Sequence, residues 1–394
     1  MSALPINHLC AHRGYHNAHS DDDPDRPLEN TLPAYQQSFD HLRFAECDVQ
    51  VTRDMTVVLA HDITLARVAD LSSDTQPPPW PEGILQLFEP VAAWHSLPAS
   101  KRTSVSTKIP DAHRSNFEAL LEAAPLLSRA SEQAAANLEG WVKEQSISEK
   151  ARELLTCLAP IERESLTTAP ADGPREALIV TYLAHRAVAD LTFDQLVRVP
   201  LKGGERVAPL KAVLDTLSAH PAGDRHLVIE VKPGSPEVVG PLCDLLEEHS
   251  IATQATIMSF DLDIIDAVSK RVGRASGEDP AHRCLWLACT RSWDEDAHGF
   301  TYAQVSKEPA SLERVLSIIE EANLDGIYIE YNSEIVSAAV LADLRARGLF
   351  VGIWSSNPEH DTPGVVATLI SQGVDLINTD EAITLPKALA TLKS

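Results

Sequence analysis

Positive charge is scarce in this chain of 394 residues: 33 Lys and Arg stand against 57 Asp and Glu, a formal net charge of −24. A protein that tracks a polyphosphate backbone needs a basic stripe, and no Lys/Arg run here supplies one, so nucleic acid is excluded as a partner. Broad docking onto anionic membranes is disfavoured for the same reason. Long apolar runs are also missing. No stretch approaches about 18 consecutive apolar residues, so no transmembrane segment is expected. Met1 to Leu9 has neither a basic n-region nor an apolar h-region. That reads as no signal peptide and a cytoplasmic location, with secretion open only to a chain whose leader has been removed. The six cysteines (Cys10, Cys47, Cys157, Cys243, Cys284, Cys289) form no C-x-x-C pair. In a chain this long they read as small buried hydrophobes rather than a disulfide framework.

What is present is globular composition, 44% hydrophobic and 23% charged, which argues against wholesale disorder. Short apolar runs alternate with longer amphipathic segments. Strands are expected at 7–11, 44–51, 227–231, 255–259, 284–289, 326–330, 349–354 and 374–378. Helices are expected at 32–41, 236–248, 262–271, 311–322, 335–347 and 365–372. Most strands are short and bounded by polar or Gly-containing turns, as strands buried on both faces of a parallel sheet should be. Eight strands, most followed by a helix, predict a (β/α)₈ TIM barrel, with a doubly wound open sheet as the alternative.

One region breaks the rhythm. Between residues 71 and 190 the alternation lapses into a helical stretch from about Arg114 to Leu158 and a shorter one near Ala177–Val188. We read residues 1–70 and 191–394 as the barrel. Residues 71–190 are a large, mainly helical insertion between the second and third barrel strands, serving as a lid, a substrate-selecting element or an interface. An independent second domain is the alternative.

Barrel active sites sit at the C-terminal ends of strands. The first strand runs into His12-Arg13-Gly14, the second carries Glu46-Cys47-Asp48, and the third carries Glu230-Val231-Lys232. Strand residues two apart point the same way, so Glu46 and Asp48 share the inner face while Cys47 faces the helices. A short apolar run, Thr56–Ala60, ends at His61-Asp62. Three acids brought that close repel one another unless protonated or metallated. Acidic oxygens without cysteine point to a hard divalent cation, Mg²⁺ or Ca²⁺. Arg13 and Lys232 can then neutralise a phosphate, and His12 and His61 can act as base and acid across the phosphorus. This outlines a phosphodiester-cleaving site. Each piece alone has a plainer reading, an E-x-D as a salt-bridge participant and a strand-end histidine as a solvated one; the set across three successive strand ends does not.

The same residues carry a resemblance. Ala11-His12-Arg13-Gly14, Glu29-Asn30-Thr31, Glu46-Cys47-Asp48-Val49, His61-Asp62, Ile229-Glu230-Val231-Lys232, Ser259-Phe260-Asp261, and Gly373-Val374-Asp375 with Thr379-Asp380 follow one another in the order of the glycerophosphodiester phosphodiesterase family, which this chain resembles over about residues 7–70 and 191–390. The resemblance implies a TIM barrel holding one divalent ion on Glu46, Asp48 and Glu230. It makes His12 and His61 the acid–base pair, and Arg13 and Lys232 the phosphate contacts. The implied reaction is hydrolysis of small-molecule glycerophosphodiesters to sn-glycerol 3-phosphate and an alcohol. Attack by the neighbouring glycerol hydroxyl would give a cyclic phosphate that water opens. Lysophospholipids, sugar phosphodiesters and a non-catalytic phospho-ligand barrel are the alternatives.

Three further readings are local. Helix initiation explains Asn30 or Thr31 as an N-cap but not Glu29, which is expected to hold Arg13 or a metal ligand. Met55 stands where the family commonly has glycine, so that turn is expected to be reshaped. Trp354, at the end of the seventh expected strand, either meets an apolar part of the substrate or closes the core. The run Asp21–Asp25 reads as a solvated loop, and the His12, His16, His19 spacing as a loop rather than a zinc site.

Overall fold

A computed structural model describes residues 5–16, 26–71, 78–97, 102–133, 137–167, 173–234, 236–272, 283–289, 312–354 and 358–391. His19 and the Asp21–Asp25 run lie outside the described residues. The chain divides into two compact units. One comprises Met1–Val51, Val57–His61 and Ala208–Ser394; the other comprises Thr52–Thr56 and Asp62–Val207.

The first unit is a closed barrel. Its strands are β1 (Leu9–Ala11), β2 (Phe44–Val51), β3 (Val57–Leu59), β4 (His226–Val231), β5 (Ala255–Ser259), β6 (Arg283–Ala288), β7 (Gly326–Glu330), β8 (Phe350–Trp354) and β9 (Leu376–Thr379). Eight of them run parallel in the order β1-β9-β8-β7-β6-β5-β4-β2, and β1 pairs with β2 to close the ring. The ninth, β3, is an antiparallel arm on β2, with Val49 opposite Leu59. The open doubly wound sheet is thereby excluded.

Alternation along the strands fixes which residues look inward. In β4, Leu227, Ile229 and Val231 join the apolar layer between strands and helices, whereas Val228 joins Cys10, Met258, Leu285, Tyr328 and Leu376 inside the ring. Cys47 likewise lies in the outer layer. Gly352 is dictated by this interior: a Cβ there would come 2.3 Å from the Tyr328 ring. The six cysteines are free thiols, five of them buried.

Strand and helix ends differ from the sequence expectation where a local device intervenes. The first strand starts at Leu9 rather than residue 7, because a 3₁₀ turn occupies Pro5–His8, where proline lacks the N–H a ladder needs. A helix begins at Pro363, two residues before the expected start, since proline is preorganised for the first turn. Another begins at Ala338, not 335, where the Ser337 hydroxyl caps the Val340 N–H.

The second unit is helical, and its longest expected helical stretch divides into four helices. The stretch from Arg114 to Leu158 falls into helices Asp111–Ala123, Leu127–Gln133, Leu138–Glu144 and Glu149–Ser165. Pro125 lies in a 3₁₀ turn at the first break, and Asn137 and Ser148 cap the helices that follow the other two. Each device outweighs the continuous apolar periodicity. The chain enters and leaves this unit along one seam, where Leu65 donates to Ala184, Val188 to Ile63 and Asp70 to Pro200. Among the described residues, no helix is long and apolar enough to cross a membrane.

Candidate active site

The chain must turn sharply as it leaves β1. Arg13 takes φ +52° and Gly14 φ +78°; both are left-handed, a conformation that costs a non-glycine residue about 1–2 kcal/mol. A Cβ on Gly14 would come 2.9 Å from the Ala34 Cβ, so only glycine lets this turn approach the helix Leu32–His41. The turn points the Arg13 N–H at Glu46, whose Oε2 accepts it at 2.9 Å, and the Gly14 N–H at the Glu46 carbonyl at 3.1 Å.

In β2 and β4, Asp48 and Glu230 stand opposite each other in register. With Glu46 they form a buried trio whose ligand atoms all lie within 4.8 Å of one another. Lys232 Nζ donates to Glu230 Oε1 at 2.5 Å and lies 2.6 Å from Asp48 Oδ1, while Arg13 Nε is 3.4 Å from Asp48 Oδ2. The three acids do not share charge equally. Burial, and then the Asp48 charge, push Glu46 up to about 8. Burial also raises Glu230, against the pull of Lys232. Burial would raise Asp48 too, but Lys232, His61 and Arg13 together hold its carboxyl well below the usual range.

This trio fits a hard divalent ion. All donors are carboxylate oxygens. Glu46 Oε1 is buried with no hydrogen-bond partner among the described residues, and a buried carboxylate oxygen of this kind suits a bound cation. Arg13 Nη1 donates to Glu29 Oε1 at 3.0 Å, so Glu29 steadies the guanidinium.

His61 follows the β3 arm. Ala60 N–H donates to the Asp48 carbonyl at 3.1 Å and Gln50 Nε2 to the Ala60 carbonyl at 3.0 Å, which fixes this segment against β2. His12 follows β1, and its Nδ1 lies 2.8 Å from Asp380 Oδ1. A carboxylate only accepts, so Nδ1 carries the proton. Burial alone would lower the His12 imidazole, but the Asp380 charge outweighs it and raises the group to about 9. Trp354 belongs with the inner apolar cluster. Its ring meets Phe260 edge-on at 5.3 Å, and its Nε1–H donates to the Ala288 carbonyl at 3.2 Å.

Two residues at the site have no part in its chemistry in the sequence reading. Asn30 is turned left-handed at φ +54° and binds Asp48 rather than capping the helix, which Thr31 begins. Asp380 pairs with His12. Both stand inside stretches of the family pattern, and a polar residue directly after the last barrel strand is the signal that marks Asp380.

No curated protein matches the sequence. Solved structures share the fold at low identity. A candidate glycerophosphodiester phosphodiesterase from Galdieria sulphuraria aligns with TM-score 0.53 and 13% identity over 99% of this chain and 100% of its own. A glycerophosphodiester phosphodiesterase from Parabacteroides distasonis aligns with TM-score 0.51 and 13% identity over 98% of both chains. The sequence profile of the glycerophosphoryl diester phosphodiesterase family matches residues 12–384. The chain therefore belongs to the glycerophosphoryl diester phosphodiesterase family and is a phosphoric diester hydrolase built on a (β/α)₈ barrel.

Proposed function

We propose that the protein hydrolyses glycerophosphodiesters to sn-glycerol 3-phosphate and an alcohol, with one Mg²⁺ or Ca²⁺ held by Glu46, Asp48 and Glu230. The observation that carries this reading is the buried acid trio beside Arg13 and Lys232, with an imidazole on each of two flanking segments. A bound ion would supply positive charge to the phosphoryl oxygens, which the protein's overall charge cannot. Arg13 and Lys232 add cations at the same place, and Arg13 presents a planar fork that can meet two oxygens at once.

The proton transfers fall to the histidines. His61 takes the proton of the glycerol hydroxyl next to the phosphate as that oxygen bonds to phosphorus. His12, charged near neutral pH through Asp380, gives its Nε2 proton to the departing alcohol oxygen as the P–O bond breaks. Water then opens the resulting cyclic phosphate with the roles reversed: His12 accepts a water proton and His61 returns one to the glycerol oxygen.

The test is choline release from glycerophosphocholine by the purified protein with Mg²⁺ or Ca²⁺. Release should stop with EDTA and fall by at least about 100-fold in His12→Ala; Glu46→Ala should behave alike. Undiminished turnover in either variant overturns the site. A panel adding lysophosphatidylcholine and sugar phosphodiesters separates the substrate classes.

A further inference from the structure

The last strand of the barrel delivers a carboxylate to the first catalytic turn. β9 pairs with β1, Ala11 opposite Thr379, and the His12 N–H donates to the Thr379 carbonyl at 3.1 Å. The next residue after Thr379 is Asp380, whose Oδ1 meets His12 Nδ1 at 2.8 Å. Asp380 is itself held: its N–H donates to Asp361 Oδ2 at 3.3 Å, and the half-buried Asp361 lies beside the buried His360. The His12 and Asp380 side chains are 30% and 36% exposed, so neither is sealed from solvent.

We propose that Asp380 is the positioning residue of the reaction: by accepting the Nδ1–H of His12 it fixes the ring so that Nε2 is the nitrogen that exchanges a proton with the substrate. This rests on the acid–base reading of His12 given above. The balance is simple. His12 gives its Nε2 proton to the leaving alcohol as the P–O bond breaks, and it becomes a neutral imidazole still bonded through Nδ1–H to Asp380. It regains the Nε2 proton from the water that opens the cyclic phosphate. Asp380 stays ionised throughout. Asp380 also lies 3.9 Å from His16 Nε2, but His16 uses Nδ1 on the Gly14 carbonyl at 3.2 Å, and burial lowers that imidazole. Near neutral pH His16 is therefore no rival for the carboxylate. The other charges facing His12 are Arg13, which opposes its proton, and Glu46, which favours it.

The experiment compares wild type, Asp380→Asn and Asp380→Glu, each with two readouts. The first is choline release from glycerophosphocholine between pH 5 and 10. The second is an NMR titration of the His12 ring, which reads the pairing without any turnover. Asp380→Asn should lower kcat by about 10–100-fold, the cost of losing an orienting partner, with KM changed by less than about twofold and the alkaline limb of the profile moved to lower pH. The His12 titration should drop by about 1 pH unit or more, the effect of removing an adjacent opposite charge. Asp380→Glu should recover part of both. A loss of kcat with the alkaline limb and the His12 titration unmoved would mean a merely structural role and overturn the proposal. So would an unchanged kcat. If wild type hydrolyses no diester, the functional reading fails by itself. The NMR arm then decides the pairing alone, and a His12 titration unmoved in Asp380→Asn overturns it.

Discussion

The Asn30 amide grips Asp48 from two sides: Nδ2 donates to Asp48 Oδ2 at 2.7 Å, and Oδ1 accepts the Asp48 backbone N–H at 3.1 Å. The same Oδ1 accepts the Tyr35 hydroxyl at 2.7 Å. Three bonds thus settle which way the amide lies and which oxygen of Asp48 stays available for other partners.

Removing this clamp should hurt in two separable ways. Asn30→Ala orphans a buried hydroxyl and a buried N–H, at about 1–3 kcal/mol each. It also puts alanine at φ +54°, where asparagine is tolerated better. Urea unfolding should show a loss of at least about 2 kcal/mol. Ion affinity, read by calorimetry on the folded variant, should weaken by about 10–100-fold because a ligand has lost its support. An unchanged affinity would mean that Asn30 serves only the fold.

How much of this was legible depended on the range of the interactions. The strands Phe44–Val51, Ala255–Ser259 and Gly326–Glu330 and the helix Leu32–His41 have the bounds their apolar patterns predict, since burial on fixed faces writes itself into sequence period. The inward pairing of Glu46 and Asp48 follows from the same alternation. The bond between His12 and Asp380 does not. Those residues are 368 positions apart, and only closure of β9 onto β1 brings them together. Asn30 was hidden for another reason: its residue type suits a helix cap equally well, and only the turn's left-handed backbone aims it at Asp48. The broken helices of the second unit were masked because apolar periodicity continues through Pro125 and Asn137, where the backbone cannot.

Ion-free protein should lose stability as pH rises from mildly acidic to alkaline. Glu46 moves from an ordinary 4.5 up to about 8, and His12 from 6.5 up to about 9. In each case the native state binds more protons than the unfolded chain between the two values. Stability must therefore fall with rising pH across 4.5 to 8 for Glu46 and across 6.5 to 9 for His12. Each group contributes a slope of at most about 1.4 kcal/mol per pH unit. Saturating Mg²⁺ or Ca²⁺ takes the place of the Glu46 proton, so the part below pH 8 should flatten and the His12 part remain. Urea midpoints measured in EDTA and with ion, from pH 5 to 9.5, check this; parallel curves would remove Glu46 from the ion's ligands.

Met55 holds a backbone conformation that glycine adopts at less cost. Its φ is +66°, it is 45% exposed, and its turn is tied by Met55 N–H to the Thr52 carbonyl at 2.9 Å and Thr56 N–H to the Thr52 hydroxyl at 2.9 Å. A non-glycine residue in this left-handed conformation is strained. Met55→Gly should relieve about 1–2 kcal/mol of left-handed strain while adding about 0.5–1 kcal/mol of unfolded-state entropy. A net gain of roughly 0.5–1 kcal/mol should raise the urea midpoint at unchanged slope. A loss of stability would show that the methionine side chain contributes more than its backbone costs.

In the second unit, Glu162 and Arg186 form an ion pair almost wholly out of water, 0% and 4% exposed, with Arg186 Nη1 donating to Glu162 Oε2 at 2.7 Å. The Tyr182 hydroxyl donates to the same oxygen at 2.7 Å, and the Arg186 guanidinium lies over the Phe88 ring at 5.3 Å. Burial works against the Arg186 charge, yet Glu162 holds it above its ordinary range. Such a pair is weak as a net stabiliser and expensive to break by halves. Arg186→Met leaves the buried carboxylate with only Arg53 as a cation among the described residues, Nη1 at 3.8 Å from Glu162 Oε1, and should cost about 3 kcal/mol. Adding Glu162→Leu removes that buried charge and leaves chiefly the Tyr182 hydroxyl unmatched, so the double variant should lie within about 1–3 kcal/mol of wild type. The double variant would then be more stable than the Arg186→Met single, a coupling that a urea double-mutant cycle reads directly. Additive losses would mean that water reaches the pair and that the two charges do not depend on each other.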